Sequence, residues 1–218
     1  GLELAQRYFG DLPARPGPER APMPDRAASG SSTVEVTRSV PHSLTYLSWR
    51  TPPAAHPDQR ALDLALAVLA DGHTSRLHRS LVRHGDIAHE VHSASLTHRS
   101  AASIATVLGR PAEGVSLEAM SEAILEGVAG LAEDGPTEAE LARAVAQYER
   151  DWLWELATTS GRADAINEAW LINGSPQEVN THLADVLAVT PDDVAAAARR
   201  WLSRSSAQQL HYRAEEDR

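Results

Sequence analysis

The 218-residue sequence contains no cysteine and no lysine. Without a thiol, a disulfide framework, a thiolate zinc site, a cysteine nucleophile and a thiolate-held iron–sulfur cluster are all excluded. Without lysine there is no phosphate-binding P-loop and no Schiff-base chemistry. All 20 basic residues are arginine, set against 30 Asp and Glu for a formal charge of −10. That balance excludes a protein that tracks nucleic-acid phosphates, which needs a basic face. No apolar run approaches the roughly 20 residues that cross a bilayer. Alanine is abundant, at 37 residues, and together with the missing lysine this fits GC-rich coding and a bacterial source. The chain starts at Gly1 without Met or a charged-then-apolar leader, so it is expected to be a piece of something longer. A chain of this size hides roughly 70% of its unfolded surface and folds without covalent staples.

The pattern along the chain predicts an end of a helix at 1–10, a linker or strap at 11–32, a folded body at 33–213 and a short tail at 214–218. Leu2 to Phe9 reads as helix closed by Gly10. The stretch that follows is Pro, Gly, Ala and charge, and has little to bury. TVEVTR (33–38) and SLTYLSWR (43–50) alternate as strands. The second carries bulky residues on both faces, as an interior strand of a covered sheet does. Asp58 to Leu69 has a leucine stripe at helical spacing, and a short helix from Ser75 to about Val82 buries Leu77 and Leu81. Residues 88–97 and 101–108 form a predicted hairpin turning at His98-Arg99-Ser100. Beyond Gly114 the text is helical: 116–132 with Ser116 as cap, and a helix to about Ala157 opened by the capping box Thr137-x-x-Glu140. Shorter helices follow at 162–172, 176–186 and 191–201, the last with Thr190 as cap and Pro191 at its first position. QQLHYR (208–213) is a closing strand. The expected class is α+β, an antiparallel sheet backed by helices on one face.

Ten histidines raise a metal reading, and six lie between His73 and His98. His84, His89, Glu90 and His92 are the densest group. In regular strand alternation His89 and His92 point to opposite faces, which leaves Glu90 and His92 as only two ligands. Neither H-E-x-x-H nor H-x-x-E-H, which place two histidines on one helix face, occurs in the chain. G-x-S-x-G is absent, and Ser75 reads as the cap of the helix it opens. Asp192-Asp193 and Glu215-Glu216 suit a helix first turn and a solvated tail better than acid–base work. The five tryptophans read as packing anchors. Trp152 and Trp154, two apart on one helix, cannot share a core face, which leaves one for a partner or a cavity. Nothing in these spacings makes a self-sufficient active site.

Five segments together carry a resemblance: AQRYFGDLP (5–13), the stretch from Leu44 to Arg83, IAHEVHSA (87–94), DGPTEAELARA (134–144) and the stretch from Asn173 to Leu202. In their order and spacing the chain resembles the insulinase/pitrilysin-type M16 zinc peptidases. The resemblance implies a LuxS-type, ferredoxin-like half, two such halves enclosing a substrate chamber. The family's zinc helix, H-x-x-E-H, belongs to the first half and is missing, so the chain is similar to the second, non-catalytic half or a separate subunit equivalent to it. It then holds no metal itself, zinc and the water-activating Glu coming from an H-x-x-E-H partner. Its own partner surface would take a peptide substrate, not nucleic acid or a membrane. In many such halves an Arg, and a Tyr seven residues later, reach the substrate backbone, within the text L-R-x-x-x-G-x-A-Y. Here that text reads Leu81-Val82-Arg83-His84-Gly85-Asp86-Ile87-Ala88-His89. His89 takes the Tyr place and Arg83 stands one residue late, and these two are the candidate substrate-binding residues. Two other readings stay open: an M16-like interaction module that has left proteolysis, and a metal-binding protein built on His84 to His92.

Overall fold

The computed structural model describes residues 1–13, 15, 30–99 and 101–215. Most of the expected linker at 11–32, Ser100 of the expected turn and residues 216–218 of the tail lie outside the described residues. In chain order the elements are α1 (Leu2–Phe9), β1 (Ser32–Arg38), β2 (Leu44–Thr51), α2 (Gln59–Ala70), β3 (Ala88–Leu96) and β4 (Ser103–Pro111). They continue as α3 (Leu117–Asp134), α4 (Glu138–Leu156), α5 (Thr159–Glu168), α6 (Glu178–Leu187), α7 (Pro191–Trp201) and β5 (Gln208–Ala214). π-Helical turns occupy His78–Arg83 and Ala169–Asn173.

The five strands form one sheet in the order β1-β5-β2-β4-β3. β5 enters between β1 and β2, antiparallel to β2 and parallel to β1; the remaining pairs are antiparallel. The expected α+β sheet is present, with one parallel pair near its β1 edge, where the chain arrives after a long helical crossover. Along β2 burial alternates strictly. Thr45, Leu47, Trp49 and Thr51 are buried, while Leu44, Tyr46, Ser48 and Arg50 are only partly so. β2 is therefore the interior strand its pattern predicts, but the described residues cover the sheet on one face only. α2, α3 and α7 pack on that face. Leu47, Trp49 and Val107 from the strands meet Leu62, Leu69, Met120 and Ile124 from the helices in the core.

Local chemistry sets the helix ends largely as the sequence predicts. Ser116 Oγ accepts from the Ala119 N–H at 3.1 Å, and Thr137 and Glu140 close a reciprocal capping box. Thr190 and Asp193 form a second one, so Asp193 is a capping residue rather than a dipole partner alone. Gly10 closes α1 as expected, in right-handed geometry at φ −62° with its N–H bonded back to Gln6. One expectation is corrected. Ser75 stands just before its helix, but its hydroxyl donates to the Gly72 carbonyl at 2.8 Å instead of capping an amide. Among the tryptophans, Trp49 and Trp201 anchor through Nε1 bonds to Ser203 O and Asp58 Oδ2. Trp154 and Trp170 are exposed, so they are not packing anchors.

One ion pair joins the turn after α2 to the start of α4. Arg76 donates Nε and Nη2 to the two carboxylate oxygens of Glu140 at 3.0 and 2.7 Å, and Nη2 also reaches the Gly135 carbonyl. Arg79 adds a third contact at 3.2 Å. The Arg76 bonds, with the Thr137 backbone N–H, hold the Glu140 carboxyl down at about 2, from 4.5. A carboxylate so depressed stabilises the fold above its unfolded pKa, and the contribution is lost as pH falls through the folded value. Glu140→Gln is expected to lower the unfolding free energy at pH 7 by on the order of 2 kcal/mol. In urea titrations the gap between wild type and variant should close as the pH falls from 4.5 towards about 2. A gap that stays constant with pH would contradict this assignment.

Candidate functional site

Leu77 and Leu81 are buried and press the segment after α2 onto the core. Between and beyond them the backbone widens into a π-helical turn, in which the His84 N–H bonds the Arg79 carbonyl at 3.2 Å. Such a turn takes up one residue more than an α-helical turn. Arg83 closes it and is exposed. The chain then crosses to β3 through Gly85 and Asp86. A Cβ on Gly85 would lie 2.3 Å from the Ser80 carbonyl oxygen, so no side chain fits there. Asp86 has φ +48°, the left-handed region that glycine occupies freely and Asp is among the few other residues to tolerate. It also stands where the text L-R-x-x-x-G-x-A-Y has its glycine. Two hydrogen bonds fix the crossing: Ile87 N–H to Leu81 O at 3.0 Å and Ala112 N–H to Ile87 O at 2.9 Å.

β3 opens with an irregularity between Ala88 and Glu90. Ala88 and Val91 are both buried, at 5% and 2% exposure, with two residues between them. This bulge breaks the strand alternation. His89, Glu90 and His92 therefore all lie away from the core, and the expected opposition of His89 and His92 does not hold. Arg83 and His89, the two candidate residues, are both exposed and flank the Gly85–Ala88 crossing. Among the described residues neither side chain makes a hydrogen bond or ion pair within the chain, so both are available to a ligand. Burial first, then the charges of His73 and Arg83, push His78 below the usual histidine value.

Among the described residues the histidine-rich stretch brings no three ligand groups together. Glu90 is paired with Arg110 at 3.1 Å, and His92 lies 3.5 Å from it. His84 is exposed, with no hydrogen bond or ion pair from its side chain among the described residues. The described residues do bring Glu35, Glu118 and His211 close enough to hold an ion. Arg213 already spans both carboxylates there, at 3.3 Å from Glu35 and 2.5 Å from Glu118. His211 is buried and tied through Nε2 to Ser121 at 3.0 Å. A guanidinium fills the place a cation would take, so this donor set does not fit zinc.

The uncovered face of the sheet is the other functional candidate. Register places Val34, Leu210, Tyr46, Leu108 and His92 side by side across all five strands. Leu44 and Tyr212 extend this apolar row on the next tier. A largely apolar sheet face left partly exposed marks a surface that meets a partner or a ligand. α1 buries none of its residues, and Leu2, Leu4, Tyr8 and Phe9 are exposed.

The fold is shared with known proteins. The family model for the peptidase M16 inactive domain matches residues 1–148. An uncharacterised zinc protease of Streptomyces coelicolor is 30% identical over 156 residues, which is 70% of this chain and 33% of that protein. The chain thus spans about a third of the length of this curated relative. A protease from Helicobacter pylori superposes with TM-score 0.85 at 21% identity, over 97% of this chain and 51% of its own. A peptidase M16 inactive domain from Pseudomonas fluorescens gives TM-score 0.78 at 16% identity, over 92% of this chain and 48% of its own.

The crossing loop generates a paired expectation. Gly85→Ala should cost about 2 kcal/mol, since its methyl group meets a backbone carbonyl. Asp86→Gly should instead stabilise by up to about 1 kcal/mol by relieving the left-handed residue. Thermal unfolding of the two variants checks both signs, and destabilisation by Asp86→Gly would contradict the reading of this position.

Proposed function

The chain belongs to the M16 peptidase family through its inactive domain, and from that membership we propose that it is the metal-free half of a zinc metallopeptidase, closing the substrate chamber and helping to hold the peptide. The supporting observation is the partly exposed apolar sheet face, which needs a second body opposite it. A half bearing H-x-x-E-H, on the same or a separate chain, supplies the zinc and the water-activating carboxylate. The inactive half supplies a wall and hydrogen-bond donors. β3, at the sheet edge, offers unpaired backbone groups to which an extended peptide adds as a strand.

In this reading Arg83 and His89 orient the peptide near the bond to be cut. The π-helical turn supports the assignment of Arg83. By taking up one extra residue it carries an arginine that stands one place late back towards the place the family pattern gives it. An imidazole N–H donates as a phenol does, so His89 can take the Tyr role. Both groups can steady negative charge developing on the carbonyl oxygen during attack, an effect worth a hundredfold or so where one such donor is removed. The net acidic charge suits basic peptides, which it draws in at long range.

The test is reconstitution. The chain alone should contain no stoichiometric zinc and cut no peptide; with the H-x-x-E-H half added, it should cut. Within the pair, Arg83→Ala and His89→Phe should each lower kcat at least roughly tenfold with zinc content unchanged, while His89→Tyr keeps activity. Zinc and hydrolysis in the isolated chain would overturn the assignment. Full activity of the Arg83→Ala, His89→Ala double variant would favour the competing reading, an M16-like interaction module, which the departures at Val82 and His89 motivate.

A further inference from the structure

Between α2, α4, α5 and α6 lies a cavity of about 420 Å³, large enough for a small organic molecule. None of its lining residues belongs to the Arg83–His89 crossing. α2 lines it with Gln59, Arg60 and Asp63, α4 with Tyr148 and Trp152, and α6 with His182. The Trp152 and His182 rings lie 4.6 Å apart, tilted by 35°, and the Tyr148 hydroxyl is hydrogen-bonded to His182 Nε2. Burial lowers His182 to about 4 and raises Tyr148 to about 12. At neutral pH both are uncharged, and the aromatic side is a neutral π surface.

The polar side is different in character. Gln59 donates Nε2 to Asp63 Oδ1 at 3.0 Å, which turns its own carbonyl away from that bond. Gln59 is 2% exposed, and its Oε1 has no donor among the described residues. The Gln59 amide is thus committed to Asp63 and holds that carboxylate in place at the cavity wall. Among the described residues Asp63 forms no ion pair. Burial raises its carboxyl to about 6, with Gln59 and Arg60 only partly offsetting the desolvation. Five more carboxylates, Asp71, Asp151, Glu155, Glu168 and Glu178, line the same space against the single Arg60. These acids do not converge as a metal site requires; the described residues form such a cluster only at Glu35, Glu118 and His211. An anion is repelled, and a purely apolar guest leaves the Asp63 charge without a counter-ion.

We propose that this cavity binds an organic cation that carries N–H donors on a flat apolar body, the amidinium and guanidinium class. The planar cation donates to the Asp63 carboxylate, and its body lies against the Trp152 ring. The acidic surround raises the local concentration of such cations. Trp152 is thus the member of the Trp152/Trp154 pair that faces a cavity.

Benzamidine is a suitable probe, with benzamide as its neutral isostere. Titration calorimetry of the whole chain at neutral pH should show saturable one-to-one binding of benzamidine, at least about tenfold tighter than benzamide. Asp63→Asn keeps the size of the side chain and the acceptor for Gln59 but removes the charge, and should weaken benzamidine about tenfold or more while leaving benzamide binding as it was. Trp152→Leu should weaken both. Unchanged far-ultraviolet dichroism and a melting temperature no lower than wild type verify that Asp63→Asn folds. Equal affinity for the two probes, or benzamidine binding indifferent to Asp63→Asn, would overturn the proposal. The readout needs no zinc half and no peptide cleavage, so it stands or falls apart from the peptidase reading.

Discussion

The constraint on which the rest of this structure depends is a five-stranded sheet that the described residues cover on one side only. Strand alternation forces every second residue of β2 and β4 towards α2, α3 and α7 and the others away from them. If the outward set were charged, the sheet would be an ordinary two-layer domain with a wet face. Instead it places Leu44, Tyr46, Leu108, Leu210 and Tyr212 on that side, all only partly buried. Burying apolar surface of this kind yields about 25 cal/mol per Å², so the exposed tier is stabilised when another body covers it. The exposed apolar residues of α1 extend the same demand to the start of the chain.

The loop that carries Arg83 and His89 is rigid for separate reasons. Buried leucines hold its helical side, the Arg76–Glu140 pair ties that side to the capped start of α4, and Gly85 packs without a side chain against Ser80. The bulge at the start of β3 then turns His89 outward. A residue pair held by fixed elements at both ends is preorganised, which is what positioning a peptide backbone requires. The loop and the cavity beneath α4 to α6 share no residue, so the molecule has room for two kinds of recognition.

Much of the fold was legible in the sequence because short-range chemistry decides it. Thr137-x-x-Glu140, Thr190-Pro191 and Ser116 name three helix starts, and all three behave as their side chains predict. Alternation in TVEVTR and SLTYLSWR names two strands. What was not legible depends on partners far along the chain. Nothing in QQLHYR says that β5 inserts parallel to β1, because that pairing spans about the whole chain. The π-helical turn at His78–Arg83 and the bulge at His89 each insert one residue into a regular period. Pattern reading, which assumes the period, therefore sent His89 and His92 to opposite faces. The cavity was hidden because Gln59, Asp63, Trp152 and His182 come from three helices; its one sequence trace was the Trp152/Trp154 spacing. The missing cysteine and lysine exclude thiol and Schiff-base chemistry, yet composition says nothing of a site built from scattered neutral aromatics and one buried acid without an ion pair.

The central claim is that the uncovered sheet face looks into a chamber closed by a second half. Because the chain has no cysteine, a single introduced thiol reports its own surroundings without background. Ser48→Cys places one on the uncovered face, and Glu126→Cys places one on the exposed side of α3, behind the sheet. The rate of modification by a bulky polyethylene glycol maleimide is measured with and without the H-x-x-E-H half. The account predicts that the added half slows labelling at position 48 by about tenfold or more and leaves position 126 as fast as before. Equal labelling at position 48 in both conditions, or protection at 126 instead, would contradict it.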